Sequence, residues 1–195
     1  SPGMLQTIQP GAPAHPFFAR PIRDDEGNIH NDATYRYGST MGGNFQQHQG
    51  VEFNNPAGTI VRAIGAGVGA FAGAAEAGAR TVAILHDRKV DGQNIYSVYY
   101  HNTALDVTHG QRVAEGDAIA RVGNTGRATN DHLHLEVHVT PGTDSLVVVN
   151  PAERFPRYTT NPQLWIRPLP GTGVVAGRVR DAEGNPVPGA RIYGL

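Results

Sequence analysis

The 195-residue sequence contains no cysteine, which excludes disulfides, thiolate nucleophiles and sulfur-ligated metals together. Charge of one sign is also lacking. Sixteen basic and 17 acidic residues leave a formal net charge of −1, and no local cluster would draw in nucleic acid or an anionic membrane. Long apolar runs are missing: the stretch 63–83 (AIGAGVGAFAGAAEAGARTVA) is mostly Gly and Ala and contains Glu76 and Arg80, too weakly apolar to span a bilayer. Neither a nucleic-acid partner nor membrane insertion is expected. The opening SPGM has no basic n-region or apolar h-region, so an export signal is expected either to have been removed or never to have been part of this chain. The compartment stays open, since absence of cysteine suits an exported bacterial protein as well as a cytosolic one.

Long helical periodicity is absent as well. From about Tyr35 to Val149 the chain reads as short strands rich in Val, Ile, Tyr and Phe, broken by Gly, Asn and Asp turns: VEF, TIVRAI, GVGAFA, RTVAILHD, NIYSVYYH, DAIARVG, HLHLEVHV and SLVVV. Such a series predicts an all-β domain built mainly on antiparallel sheet. We divide the chain into an extended lead-in (1–25) packing through Phe17 and Phe18, the β domain (26–154), a Pro-rich linker (155–173) and a terminal segment (174–195). The last, VVAGRVRDAEGNPVPGARIYGL, reads as a β-hairpin around EGNP. Two strands alone are marginal in water, and the segment resembles the opening of a carboxypeptidase-regulatory-like β-sandwich module.

One motif points elsewhere. Gly67-Val-Gly69-Ala-Phe-Ala72 fits the G-x-G-x-x-A dinucleotide fingerprint, with Asp87 about 20 residues on, where a ribose-binding acid would stand. The supposed helix 70–77 is short, contains Gly73 and offers only Phe71 to pack on a sheet. Small residues where two strands approach closely explain the pattern better, so a nucleotide-binding oxidoreductase is retained only as a rival.

Histidine is what the chain has in abundance, nine in all. In HLHLEVHV, Leu133, Leu135, Val137 and Val139 alternate with His132, His134, Glu136 and His138, so one strand face is apolar and the other titratable. His132 and His134 lie about 6.6 Å apart and can converge on one ion. His138 is about 13 Å beyond His134, out of joint reach, and reads as a bystander. Glu136 reads as a surface residue or as a carboxylate orienting an imidazole. In HQGVE, His48 and Glu52 would be about 13 Å apart if fully extended, so joint binding needs a bend, which Gly50 could supply. His101 ends the strongest strand pattern, in YYHN. Tyr35, Tyr37, Tyr96 and Tyr99 could line a groove, although aromatic residues in strands more often pack.

Together His48-Gln-Gly-Val-Glu52, Tyr99-Tyr-His101 and the glycine-containing run GDAIARVGNTGRATNDHLHLEV resemble the lysostaphin-like, LytM-type zinc endopeptidases of bacterial cell walls, over roughly residues 30–140. The resemblance implies a groove over a mainly antiparallel sheet, zinc held by His48, Glu52 and His134, and His101 and His132 as catalytic histidines. It implies a secreted or envelope-facing endopeptidase acting on the peptide part of peptidoglycan. A second rival is the same fold with a weakened site, serving as a cell-wall binding or hydrolase-activating module. Three positions depart from the family pattern: Glu52 replaces Asp and adds a methylene to the ligand arm, Asn130-Asp131 replaces Gly-Pro, and Leu135 replaces Phe.

Overall fold

In a computed structural model, the described residues are 17–141, 158–173, 179–185 and 187. Ten strands run in chain order: β1 (Val51–Asn54), β2 (Ile60–Arg62), β3 (Gly67–Ala74), β4 (Arg80–Val90), β5 (Gln93–Asn102), β6 (Ala104–Leu105), β7 (Arg112–Val113), β8 (Ala118–Arg121), β9 (His132–Thr140) and β10 (Thr159–Thr160). Helical structure among the described residues is limited to two 3-10 turns, Glu76–Gly78 and Pro162–Leu164. The all-β, antiparallel expectation holds. The candidate strand SLVVV lies outside the described residues.

The large sheet has the order β1-β9-β5-β4-β3-β7, with β10 also pairing β9, and its pairings are antiparallel. Its longest hairpin, β4–β5, turns at Asp91-Gly92, both with positive φ (48° and 74°). That geometry follows the right-handed twist of the strands and is why Asp-Gly occurs there. Alternation then sorts the side chains. Leu133, Leu135 and Val137 of β9 join Val51 and Phe53 of β1 and Ile95 and Tyr99 of β5 in the main core, while the histidine face looks the other way. A second sheet, β2-β8-β6, contributes Val61, Ile119 and Ala120 to the same core. The Tyr99 hydroxyl is satisfied inside it, accepting from the Ile64 amide (2.9 Å) and from the Ser97 hydroxyl (2.9 Å).

The glycine fingerprint is strand throughout. Gly67 and Gly69 sit in β3, where a Cβ on Gly67 would collide with the Leu85 carbonyl and one on Gly69 would lie 2.5 Å from that of Thr108. Close strand approach accounts for these glycines, and only the three-residue 3-10 turn Glu76–Gly78 follows β3, with no α-helix to bind a pyrophosphate.

The flanking segments hold the domain as well. Phe18 and Ile22 are buried in the main core, whereas Phe17 is exposed. Phe18 bridges to Ile166, donating its amide to the Trp165 carbonyl (2.7 Å). Within 155–173 the described part, from Tyr158 onward, adds β10 to the edge of β9 and puts Trp165 and Ile166 into the core. Of the terminal segment, the described residues show a turn in which the Asp181 carboxylate accepts from the Asn185 amide (2.7 Å). Most of the expected β-sandwich opening lies outside the described residues.

Trp165 is 5% exposed and its indole N–H donates to Thr160 Oγ1 (2.8 Å). Trp165→Ala is expected to cost about 3–5 kcal/mol, read as a lowered urea midpoint. A change within about 0.5 kcal/mol, the range of ordinary surface substitutions, would mean that this segment does not help to hold the core.

Candidate metal centre

The site is made by pairing β1 with β9. Their register sets Glu52 opposite His134 and Asn54 opposite His132, so a carboxylate and two imidazoles come from adjacent strands onto one face. His48 lies just before β1. The chain there is fixed by reciprocal backbone bonds, Gly38 N to His48 O (2.7 Å) and His48 N to Ser39 O (2.9 Å). The chain bends at Gly50, as expected, and this bend brings His48 Nε2 within 3.5 Å of Glu52 Oε1. The φ of Gly50 is not positive, and a Cβ there would strike the Leu135 carbonyl and lie 2.7 Å from His134 Nε2. Glycine is needed because β1 passes so close to β9.

Each imidazole is held by the nitrogen that faces away from the centre. His48 Nδ1–H donates to the Arg36 carbonyl (3.2 Å), and Tyr35 stacks on the ring at 3.8 Å. His134 Nε2–H donates to Glu136 Oε1 (3.1 Å). The inward atoms then form a triangle: His48 Nε2 to His134 Nδ1 is 3.2 Å, His48 Nε2 to Glu52 Oε1 is 3.5 Å, and His134 Nδ1 to Glu52 Oε1 is 3.9 Å. Four ligands at zinc bond lengths of about 2.0–2.1 Å make a tetrahedron with edges of about 3.3 Å. The triangle fits one face of it, so His48, Glu52 and His134 suit zinc and leave a fourth position open. The longer arm of Glu52 reaches that face.

His101 and His132 lie alongside, their ring centroids 4.9 Å apart. His101, the penultimate residue of β5, has a left-handed conformation (φ 67°), which is costly for a residue other than glycine. Its Nδ1–H is bonded to the Thr125 carbonyl (2.8 Å). His132 Nδ1–H donates to the Asn130 carbonyl (2.9 Å), leaving Nε2 facing Glu52 Oε1 at 3.6 Å. The Asn130 side chain ties this loop to β1 by donating to Asn54 Oδ1 (3.2 Å). Beside the centre a cleft of about 140 Å³ is lined by Tyr35, Gln46, Gln47, Gln49, His48, His134 and Glu136.

Protonation follows from these neighbours. Burial alone would raise the Glu52 pKa, but the bonds to His134 and His48 outweigh it and hold the carboxyl well below the usual range. Burial, followed by the positive charge of His134, brings His101 down to about 4 and keeps it neutral. For His134, burial pulls the pKa down, yet Glu136 and Glu52 overcome it and bring it up to about 9.

All five residues singled out in the sequence converge here. Of the four tyrosines, Tyr35 is at the site; Tyr37 donates to the Thr159 carbonyl (2.9 Å), and Tyr96 and Tyr99 are buried. Tyr100, part of the Tyr99-Tyr-His101 motif but without an expected role of its own, packs edge-on against His134 at 5.5 Å and reaches Glu136 Oε2 (3.4 Å). Its signal was its position one residue before His101, but only the β5–β9 register, Tyr100 opposite His134, gives that meaning. His138 is not the bystander expected. It stays outside the metal triangle, but it is fully buried and bonded to Glu136 Oε2 (2.7 Å). Reach to the metal excluded a ligand; it did not exclude a link through the carboxylate between them.

The sequence model of peptidase family M23 matches residues 46–149, a span holding all five residues. The chain is similar to the peptidoglycan DD-endopeptidase ShyA of Vibrio cholerae serotype O1, 36% identical over 92 residues, which is 47% of this chain and 20% of ShyA. Among solved structures it is similar to a zinc-containing peptidase from Vibrio cholerae (TM-score 0.52, 28% identity, 64% of this chain and 37% of that one). It is also similar to the catalytic domain of lysostaphin from Staphylococcus simulans (TM-score 0.51, 26% identity, 69% of this chain and 96% of that one). The chain thus spans about a fifth of the length of ShyA.

The raised pKa of His134 has a measurable consequence in metal-free protein. Stabilisation from its protonated form is present in full below the ordinary value of 6.5 and is lost as pH rises through about 9. The Tm of chelator-treated protein is therefore expected to fall across that window. Zinc requires the neutral imidazole and takes the proton's place, so the fall should flatten in zinc-loaded protein. Equal slopes with and without zinc would contradict this account of His134.

Proposed function

The chain belongs to peptidase family M23, and we propose that it is a zinc-dependent endopeptidase that cuts peptide bonds in bacterial peptidoglycan. What carries the reading is the triangle of His48 Nε2, His134 Nδ1 and Glu52 Oε1, 3.2–3.9 Å on a side, with two further imidazoles beside it. Similarity to ShyA, named as a peptidoglycan DD-endopeptidase, supports the substrate class. Peptidoglycan lies outside the cytoplasmic membrane, so the reading places the protein as secreted or in the cell envelope. Among the described residues no helix is long and apolar enough to cross a membrane.

In this reading His48, Glu52 and His134 hold the metal, and His101 and His132 are the catalytic residues. Zinc so held would lower the pKa of a water and polarise the scissile carbonyl. His101 and His132 each have Nδ1–H committed to a backbone carbonyl, so each offers its Nε2 to the reaction. Hydrolysis adds the water oxygen to the carbonyl carbon, breaks the C–N bond and moves a proton from water to the departing amine. An imidazole that is neutral at the start can accept that proton and then donate it. Once protonated, it also stabilises the developing oxyanion through Nε2–H. The Thr125 and Asn130 carbonyls keep both rings aimed during this exchange.

The two roles separate by experiment. His134→Ala and Glu52→Gln are expected to lose bound zinc and activity together. His101→Ala and His132→Ala are expected to keep one zinc per chain while turnover on isolated peptidoglycan falls by about 10²–10⁴-fold. Metal content by mass spectrometry, paired with chromatography of released peptides, reads both. Wild-type protein that binds no zinc, or full turnover by His101→Ala, would overturn the reading.

A further inference from the structure

On the face of the sheet that bears the metal centre, the cross-strand pairs run Tyr100 opposite His134, Val98 opposite Glu136 and Tyr96 opposite His138. Three of the four titratable residues of β9, His134, Glu136 and His138, are thus stacked along one strand, each two residues from the next. In water such a row would be solvated, but here His138 is 0% and Glu136 5% exposed. A carboxylate so enclosed must have its oxygens bonded or it costs several kcal/mol. Glu136 is enclosed on both sides. Oε1 accepts from His134 Nε2 (3.1 Å), while Oε2 accepts from His138 Nε2 (2.7 Å) and, at longer range, from the Tyr100 hydroxyl (3.4 Å).

We propose that His138 is a positioning residue for the metal centre, fixing Glu136 so that His134 donates Nε2–H away from the site and presents Nδ1 to the ion. The inference rests on His134 being a ligand. The physical reasons are direct. An imidazole binds metal through one nitrogen only, and the bond made by the other selects the tautomer and the ring plane. A carboxylate held at one oxygen can swing about its stem, whereas one held at both cannot. Of the two contacts to Oε2 the His138 bond is 0.7 Å shorter (3.4 minus 2.7 Å), so it is the principal restraint. His138 is itself placed from two sides, by Tyr96 of β5 and by Thr159 of β10. β10 is thereby connected to His134 through one imidazole and one carboxylate.

The test compares zinc dissociation constants, measured by competition with a chromophoric chelator, for wild type, His138→Leu, His138→Gln and His134→Ala. His138→Leu keeps bulk but removes the donor and is expected to weaken zinc binding by about 10–100-fold. His138→Gln can still donate to Glu136 and is expected to remain near wild type, a rescue that a space-filling role would not produce. Wild-type affinity in His138→Leu, with loss in His134→Ala, would overturn the role of His138 while leaving His134 as ligand. Undiminished affinity in His134→Ala would instead remove the reading on which the inference rests. Imidazole ¹⁵N shifts of the zinc-loaded wild type give a measurement independent of whether the variants fold. Metal on His134 Nδ1 with the proton on Nε2 is expected, and metal on Nε2 would overturn the proposal.

Discussion

The register between β1 and β9 is the constraint on which the rest depends. With Val51 opposite Leu135 and Phe53 opposite Leu133, the apolar residues of both strands enter the core together. The intervening residues, Glu52 with His134 and Asn54 with His132, must then share the other face. A slip of one residue would turn Leu133, Leu135 and Val137 outward and bury the ligands in the core. The apolar packing that stabilises the fold therefore also assembles the metal centre. Gly50 belongs to the same constraint, because only a residue without a Cβ lets β1 pass the Leu135 carbonyl at that distance.

Around that pairing the site is organised by outward-facing hydrogen bonds. Four imidazoles each commit one nitrogen to a fixed acceptor, three to backbone carbonyls and one to Glu136. What remains inward is a set of four nitrogens whose directions are set by those bonds. The left-handed backbone at His101 fits this picture: strain at one residue is maintained because the bond to the Thr125 carbonyl and the surrounding strands hold the ring beside the metal triangle. Glu136 and His138 extend the same arrangement beneath the ligand plane. Their burial is tolerated because both oxygens of Glu136 accept hydrogen bonds, one of them from His138 Nε2.

Several features were legible in the sequence for physical reasons. Period-two alternation marked β9; Val, Ile, Tyr and Phe content marked β1 and β5; Gly, Asn and Asp marked the breaks between strands; and the His and Glu residues with their spacings marked the chemistry. Other features were not legible because they depend on register or on distant contacts. Tyr100 acquires its place only by standing opposite His134. Trp165 and Ile166 read as part of a Pro-rich link because the strand and the Phe18 segment they pack on are far away in sequence. His138 was assessed by its reach to the metal, a criterion blind to a carboxylate bridging two imidazoles on one strand face.

The sequence by itself determined the class of fold and the donor types, since strand periodicity and the absence of cysteine leave only imidazole and carboxylate for a metal. Only the tertiary structure decided which of these groups meet. Strand pairing across some eighty residues brought Glu52 within 3.9 Å of His134, and bonds to carbonyls and to Glu136 chose the nitrogen that each ring presents. Composition and spacing are properties of a chain. The distances that let one ion bind three side chains come from hydrogen-bonded register and from the packing that holds it.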